Sequence, residues 1–188
     1  MPALRLLIIL TLITGIAYPL LTTGLARIIF RPQAEGSLVV RDNKRVGSAL
    51  IGQQFSQLHY FWSRPSATQP LPYDALASGG SNLALSNPIL AHTLSQRVQK
   101  LQQAHSAVAA IPVDLVTASA SGLDPHISPA AAHYQAARVA AARQIPLSTV
   151  EQLIGYHTQQ AGITFLAEPV VNVLALNMAL DKHTTLQP

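Results

Sequence analysis

Cysteine is absent from the 188 residues, which excludes disulfides, thiolate metal sites and cysteine nucleophiles and is compatible with either side of a membrane. Close metal-ligand spacing is missing too: the seven histidines show no HExxH or comparable pairing. No GxSxG elbow presents a serine on a strained turn, and no GxxxxGK[ST] supplies a lysine and a magnesium ligand beside a phosphate cradle. There is no internal repeat and no low-complexity linker beyond alanine-rich patches. Surplus charge is scarce where it would matter. Of the formal net charge of +4, three units belong to Arg5, Arg27 and Arg31 at the edges of an apolar run. The remainder is nearly neutral and lacks the electrostatic footprint that a nucleic-acid backbone requires.

What the sequence does contain is that run. Leu6 to Ala26 (LLIILTLITGIAYPLLTTGLA) carries no charged side chain, and as a helix it covers the ~30 Å hydrocarbon core of a bilayer. Gly24-Leu25-Ala26 has the small-x-small pattern of a signal-peptidase site, but a cleaved signal's apolar region is about 7 to 15 residues, so a retained anchor is expected. The chain divides into a membrane anchor over 1–31 and one domain over 32–188, a size that buries its own core. Arg5 precedes the span, whereas Arg27, Arg31, Arg41, Lys44 and Arg45 follow it, a count that by itself places the domain inside. Within the span Thr11, Gly15, Tyr18, Thr22 and Ala26 fall on one face suited to a partner helix, and Pro19 predicts a kink.

Beyond the span the pattern is α+β, a helix-rich domain with a small β hairpin or sheet. Residues 37–41 and 46–51 read as strands joined by Asp42-Asn43-Lys44-Arg45. The aromatic, proline-containing segment from Phe55 to Tyr73 reads as a structured loop packed on the core. Asn87-Pro88 caps a helix with Leu90, Leu94, Val98, Leu101 and His105 on one stripe. Asp114 to Ser119 is a strand candidate, and Ser128-Pro129 starts an alanine-rich helix to Arg143. Ser148-Thr149-Val150-Glu151 reads as a capping box for a helix to about Gly162. Glu168-Pro169 opens a last helix buried through Val170, Val173, Leu174 and Met178, with a charged tail fraying from Asp181.

Two stretches could carry chemistry. Ser78-Gly79-Gly80-Ser81-Asn82 could offer backbone N–H groups to a phosphate, or be a structural turn. His126, beside Asp124-Pro125, could serve an anchored enzyme, or be a turn histidine bonded to a neighbouring carboxylate. No metal site is expected.

Several stretches together resemble one family: GSALIGQ (Gly47 to Gln53), YFWSRPSA (Tyr60 to Ala67), SGGSN with SNP (Ser78 to Asn82, Ser86 to Pro88), DLVTASASGLDPHISPAAA (Asp114 to Ala132) and EPVVNVLALNMAL (Glu168 to Leu180). The chain resembles, over nearly its whole length, the C subunit of the potassium-transporting Kdp ATPase. The resemblance implies an accessory, non-catalytic subunit of a bacterial inner-membrane complex, stabilising a channel-like potassium-translocating subunit and a P-type ATPase subunit. It implies a cytoplasmic N-terminus and an extracytoplasmic domain, against the charge count. Partner contact is expected through Thr11, Gly15, Tyr18 and Thr22 of the span face and through Asp124 and His126. A family description adds ATP at Ser78, Gly79, Gly80, Ser81 and Asn82, making the chain a catalytic chaperone; no other cofactor is implied.

Overall fold

The computed structural model describes residues 1–105, 110–160 and 167–185. Two compact units follow one another along the chain, Met1–Ser48 and Ala49–Pro188.

In the first unit one helical rod runs through Pro2–Ile29, 28 residues long. It comprises α1 (Pro2–Leu12), a π-turn (Ile13–Ala17) and α2 (Tyr18–Ile29). At 1.5 Å per residue the rod is roughly 42 Å long, more than a bilayer core requires. The disturbance expected at Pro19 takes the form of the π-turn. Proline has no N–H for the Gly15 carbonyl, and widening the ladder, with the Tyr18 N–H on the Ile13 carbonyl, makes room for its ring. Thr14 and Thr22 turn their hydroxyls back onto the Leu10 and Tyr18 carbonyls at 2.8 and 2.9 Å, so both donors are satisfied within the helix.

A short helix α3 (Arg31–Ala34) leads to a hairpin of β1 (Leu38–Arg41) and β2 (Lys44–Ser48). The sequence suggests a four-residue turn. Instead Asp42 and Asn43 both take positive φ, 49° and 61°, closing a two-residue turn whose twist matches the strands and leaving Lys44 and Arg45 to pair. Pairing accordingly ends at Ser48, not Ile51.

The second unit is built on α4 (Pro88–Ala104), α5 (Pro129–Arg143), α6 (Leu147–His157) and α7 (Val173–Thr185). A small antiparallel sheet joins them, in the order β3 (His126–Ile127), β5 (Val170–Asn172), β4 (Thr158–Gln159). The caps at α4 and α5 form as the sequence implies: Asn87 Oδ1 accepts from Ile89 N at 2.9 Å and Ser128 Oγ from Ala131 N at 3.1 Å. Alanines 131, 132, 136 and 140 are buried, so α5 can approach α6, where Val150 and Ile154 are buried, closely.

Four expectations are corrected. Asp114 to Ser119 is not a strand: Val113–Leu115 is a 3-10 turn, because Thr117 bonds back to the Val113 carbonyl at 2.8 Å and Asp114 accepts from Ser128 N at 2.7 Å. The capping box at 148–151 does not form. Helix α6 already begins at Leu147 behind Pro146, which puts Ser148 inside the first turn; α6 ends at His157, and Gly162 lies outside the described residues. The last helix is preceded by β5, since Val171 pairs with both Ile127 and Thr158; Asn172 Oδ1 then accepts from Ala175 N at 3.0 Å. Finally, Asp181 is no frayed residue. It accepts from Arg143 Nη2 at 2.8 Å and from the Tyr60 hydroxyl at 3.1 Å.

At the centre, Phe61 and Trp62 run extended with no strand paired to them among the described residues. Two amide side chains take the place of neighbouring strands. Asn177 accepts from Phe61 N at 2.8 Å and donates to Phe61 O at 3.0 Å. Gln135 does the same for Trp62 at 2.8 and 3.1 Å. This satisfies the backbone of a buried segment that would otherwise lose one to several kcal/mol per unpaired group, about 1–3 by mutational measure.

Candidate functional site

The motif stretches are not scattered in the second unit; they are bonded to one another. Gly52 N donates to Leu123 O at 2.8 Å, Ser63 Oγ to Gln53 O at 2.9 Å and Ser66 Oγ to Gly122 O at 2.7 Å. Val173 N reaches Pro125 O at 3.0 Å, and Asn172 Nδ2 reaches Ala49 O at 2.9 Å. The strand pair β3–β5 joins His126 to Asn172. Turn residues 119–125 are the hub of these bonds.

Ser78 to Asn82 docks on that hub. Gly79 N and Ser78 Oγ both donate to the Ser121 carbonyl, at 2.9 and 3.1 Å. A Cβ on Gly80 would come within 3.1 Å of Ala120 O. One on Gly122, which sits at φ +68°, would come within 2.7 Å of Gly79 O and of Thr68 Cγ2. These glycines let two loops touch backbone to backbone. Within the stretch the Gly79 N–H is committed to Ser121 and no lysine or arginine occurs, and the next helix starts at Pro88.

Asp124 and His126 are brought together, both half-buried. Asp124 Oδ2 accepts from Arg64 Nη1 at 2.9 Å, and Oδ1 accepts from His126 N at 3.0 Å and lies 3.4 Å from His126 Nδ1. Burial alone would push this carboxyl up, but the bonds from His126 and the Arg64 guanidinium outweigh it and pull it down from 3.8 to about 2. A carboxylate so held stays ionised near neutrality, a poor proton donor and a weak base. Among the described residues no three His, Cys, Asp or Glu side chains gather as a metal site would need. The helix-face residues Thr11, Gly15, Tyr18 and Thr22 lie in the first unit. The π-turn accommodates one extra residue and rotates α2 relative to α1 by roughly 100°, which sets Tyr18 and Thr22 on a stripe beside that of Thr11 and Gly15.

Sequence reasoning missed the charged and amide groups that organise the core. Arg138, on α5 with Gln135, is buried. It donates to Gln135 Oε1 at 2.7 Å, to Tyr60 O at 3.0 Å and to Leu58 O, and its guanidinium carbon lies 4.4 Å from the Trp62 ring centroid. Burial lowers it to about 10, so it remains charged near neutrality. Its Nε donates to His105 Nε2 at 3.1 Å, while His105 Nδ1 lies 2.8 Å from Leu101 O. Only a neutral imidazole with its proton on Nδ1 serves both bonds. Burial lowers the pKa of His105, opposed by the Leu101 carbonyl and reinforced by Arg138. The signal available was the i, i+3 spacing of Gln135 and Arg138 on an alanine-rich helix.

A groove of about 250 Å³ opens beside Trp62, lined also by Phe55, Arg64, Tyr73, Arg97 and Lys100. Comparison with known proteins adds the family. The family model described as K+-transporting ATPase, c chain (KdpC) matches residues 1–182. A protein of Yersinia enterocolitica named potassium-transporting ATPase KdpC subunit is 62% identical over 184 residues, covering 97% of this chain and 92% of that one. Proteins of the same name from Polaromonas naphthalenivorans and Variovorax paradoxus are 58% and 59% identical over 181 residues, covering 96% of this chain and 92% and 94% of theirs.

Proposed function

The chain belongs to the KdpC family, the c chain of K+-transporting ATPases, and from that premise we propose that it is the accessory, non-catalytic subunit that holds the channel-like and P-type ATPase subunits of the pump together. The observation that carries this reading is the family match across residues 1–182, anchor and domain alike. The apolar rod Pro2–Ile29 supports a role within the bilayer, where Thr11, Gly15, Tyr18 and Thr22 offer small and hydroxylated surface to neighbouring helices. The ionised, hydrogen-bonded Asp124 and the interlocked 78–82 and 119–122 loops support a scaffold over a reaction centre. On this reading the N-terminus is cytoplasmic and the domain lies outside the bacterial inner membrane, where Asp124 and His126 stand near the partner surface.

Two experiments test it. Deleting the chain should abolish growth on limiting potassium, with restoration by the wild type and by Asp124→Asn; growth without the chain contradicts an accessory role. An alkaline-phosphatase fusion after Pro188 should be active. An inactive phosphatase with an active cytoplasmic reporter at the same position would put the domain inside, as the flanking arginines alone suggest, and would reopen access of cytoplasmic ATP.

A further inference from the structure

The groove beside Trp62 has a definite chemistry. Its apolar walls come from Phe55, Trp62, Pro72, Leu101 and Leu115. Its cations are Arg64, Arg97 and Lys100, and no Asp or Glu lines it. Arg64 is neutralised by Asp124, yet its Nε is buried without a hydrogen-bond partner among the described residues. Arg97 uses Nη1 on the Val116 carbonyl at 2.7 Å. Lys100 is exposed and holds its ammonium 5.2 Å from the Trp62 ring centroid, with no carboxylate paired to it among the described residues. The positive charge of Arg97 and Lys100 is therefore uncompensated by any acid in the groove.

The neighbouring chain is apolar and open to solvent. Leu71, next to Pro72 and Tyr73 in the wall, is 66% exposed, and Leu76, three residues beyond Tyr73, is 99% exposed. A small anion would need only the floor and the cations. Leucines this exposed, in the chain that runs into and out of the wall at Pro72 and Tyr73, fit a larger occupant, one that covers the rim as well.

We propose that this groove docks a loop of a partner subunit in which an Asp or Glu stands beside an aromatic or aliphatic side chain. The carboxylate meets Arg97 and Lys100, the apolar side chain lies against Phe55 and Trp62, and Leu71 and Leu76 close over the rim. This inference rests on the reading of the chain as an assembly subunit.

The test uses the whole complex. A photoactivatable residue at Leu71 leaves the cations in place; irradiation in native membranes should join it to a partner segment containing Asp or Glu. Lys100→Glu should cut the partner subunits retained through a detergent wash about tenfold, the size of effect expected for a charge reversed inside a complementary contact. Gln103→Glu, which adds a negative charge on an exposed position of the same helix, should not. Reversing the crosslinked acid to lysine should restore retention in Lys100→Glu. Equal retention by the two variants, a crosslink to lipid alone, or a crosslinked segment without an acid would each overturn the groove assignment while leaving the assembly role intact. Partner subunits missing from the wild-type preparation would instead overturn the assembly role and the groove's occupant with it.

Discussion

Asn177 on α7 holds both backbone groups of Phe61, accepting its N–H at 2.8 Å and donating to its carbonyl at 3.0 Å. Gln135 on α5 does the same for Trp62. The extended 61–62 segment is thus clamped between two helices as though each were a sheet edge, and the motif stretch after it, Ser63 to Ala67, is aimed from this clamp at the 119–125 hub.

Replacing Asn177 by leucine keeps the branched four-heavy-atom side chain and orphans two buried backbone groups. Asn177→Leu should lose about 2–4 kcal/mol, read as a lower urea midpoint by Trp62 fluorescence in detergent. Asn177→Gln should recover part of the loss. An unchanged midpoint in Asn177→Leu would mean that water or a shifted backbone satisfies Phe61.

The loop-on-loop contact ranks four glycines. A Cβ on Gly52 would collide with the Tyr73 ring and lie 2.7 Å from Asp124 O, and Gly122 meets 2.7 Å contacts at positive φ. Gly52→Ala and Gly122→Ala should each cost about 2 kcal/mol or more. Gly80→Ala, at 3.1 Å from Ala120 O, should be milder. Gly79→Ala, with nothing nearer than 4.0 Å, should stay within about 0.5 kcal/mol. The order is checked by urea midpoints. A loop whose glycines served a phosphate would instead make Gly79→Ala costly to function with little cost in stability.

Asp124 sets an acid limit. Its pKa is depressed from 3.8 to about 2, so the folded state binds its proton less readily than the unfolded chain. Its contribution is complete above about pH 4 and is lost as pH falls towards 2, with solvent screening holding it to about 1 kcal/mol. Urea midpoints of wild type and Asp124→Asn should therefore differ at pH 5 and converge near pH 2. A constant difference across that range would show that the bonds from His126 and Arg64 do not depress this pKa.

His105 sets a second limit with the same sign. Its pKa is lowered, so the unfolded chain takes up the proton first, and stability falls as pH drops below the ordinary histidine value of ~6.5. Nitrogen-detected NMR at pH 7 should show His105 neutral and protonated on Nδ1. An imidazolium signal at that pH would contradict the bond from Arg138.

Parts of this fold were legible because local chemistry and tertiary packing agree there. Asn87-Pro88 and Ser128-Pro129 announce α4 and α5, and the Leu6–Ala26 run announces the rod. Elsewhere a longer-range partner prevailed. Val170 to Asn172 has a helix-compatible pattern, yet the chance to pair with β3 and β4 makes it a strand. Ser148 to Glu151 spells a capping box, but Pro146 starts the helix earlier. Gln135, Arg138, Asn177 and Asp181 look like solvent-facing residues in a linear reading. Gln135 and Arg138 find their partners in the backbone of residues 58–62, a segment over 70 residues away in sequence. The Asp124–His126 contact was legible because it is local; Arg64, which completes it, was not.

The central claim is that this chain works by holding two other subunits together, and isolation through a tag on its C-terminus, in mild detergent, tests it most directly. The channel-like and P-type ATPase subunits should be recovered in fixed proportion with the chain, and their mutual association should be lost in membranes that lack it. Recovery of the chain alone, or undiminished association of the other two subunits in its absence, would contradict the claim.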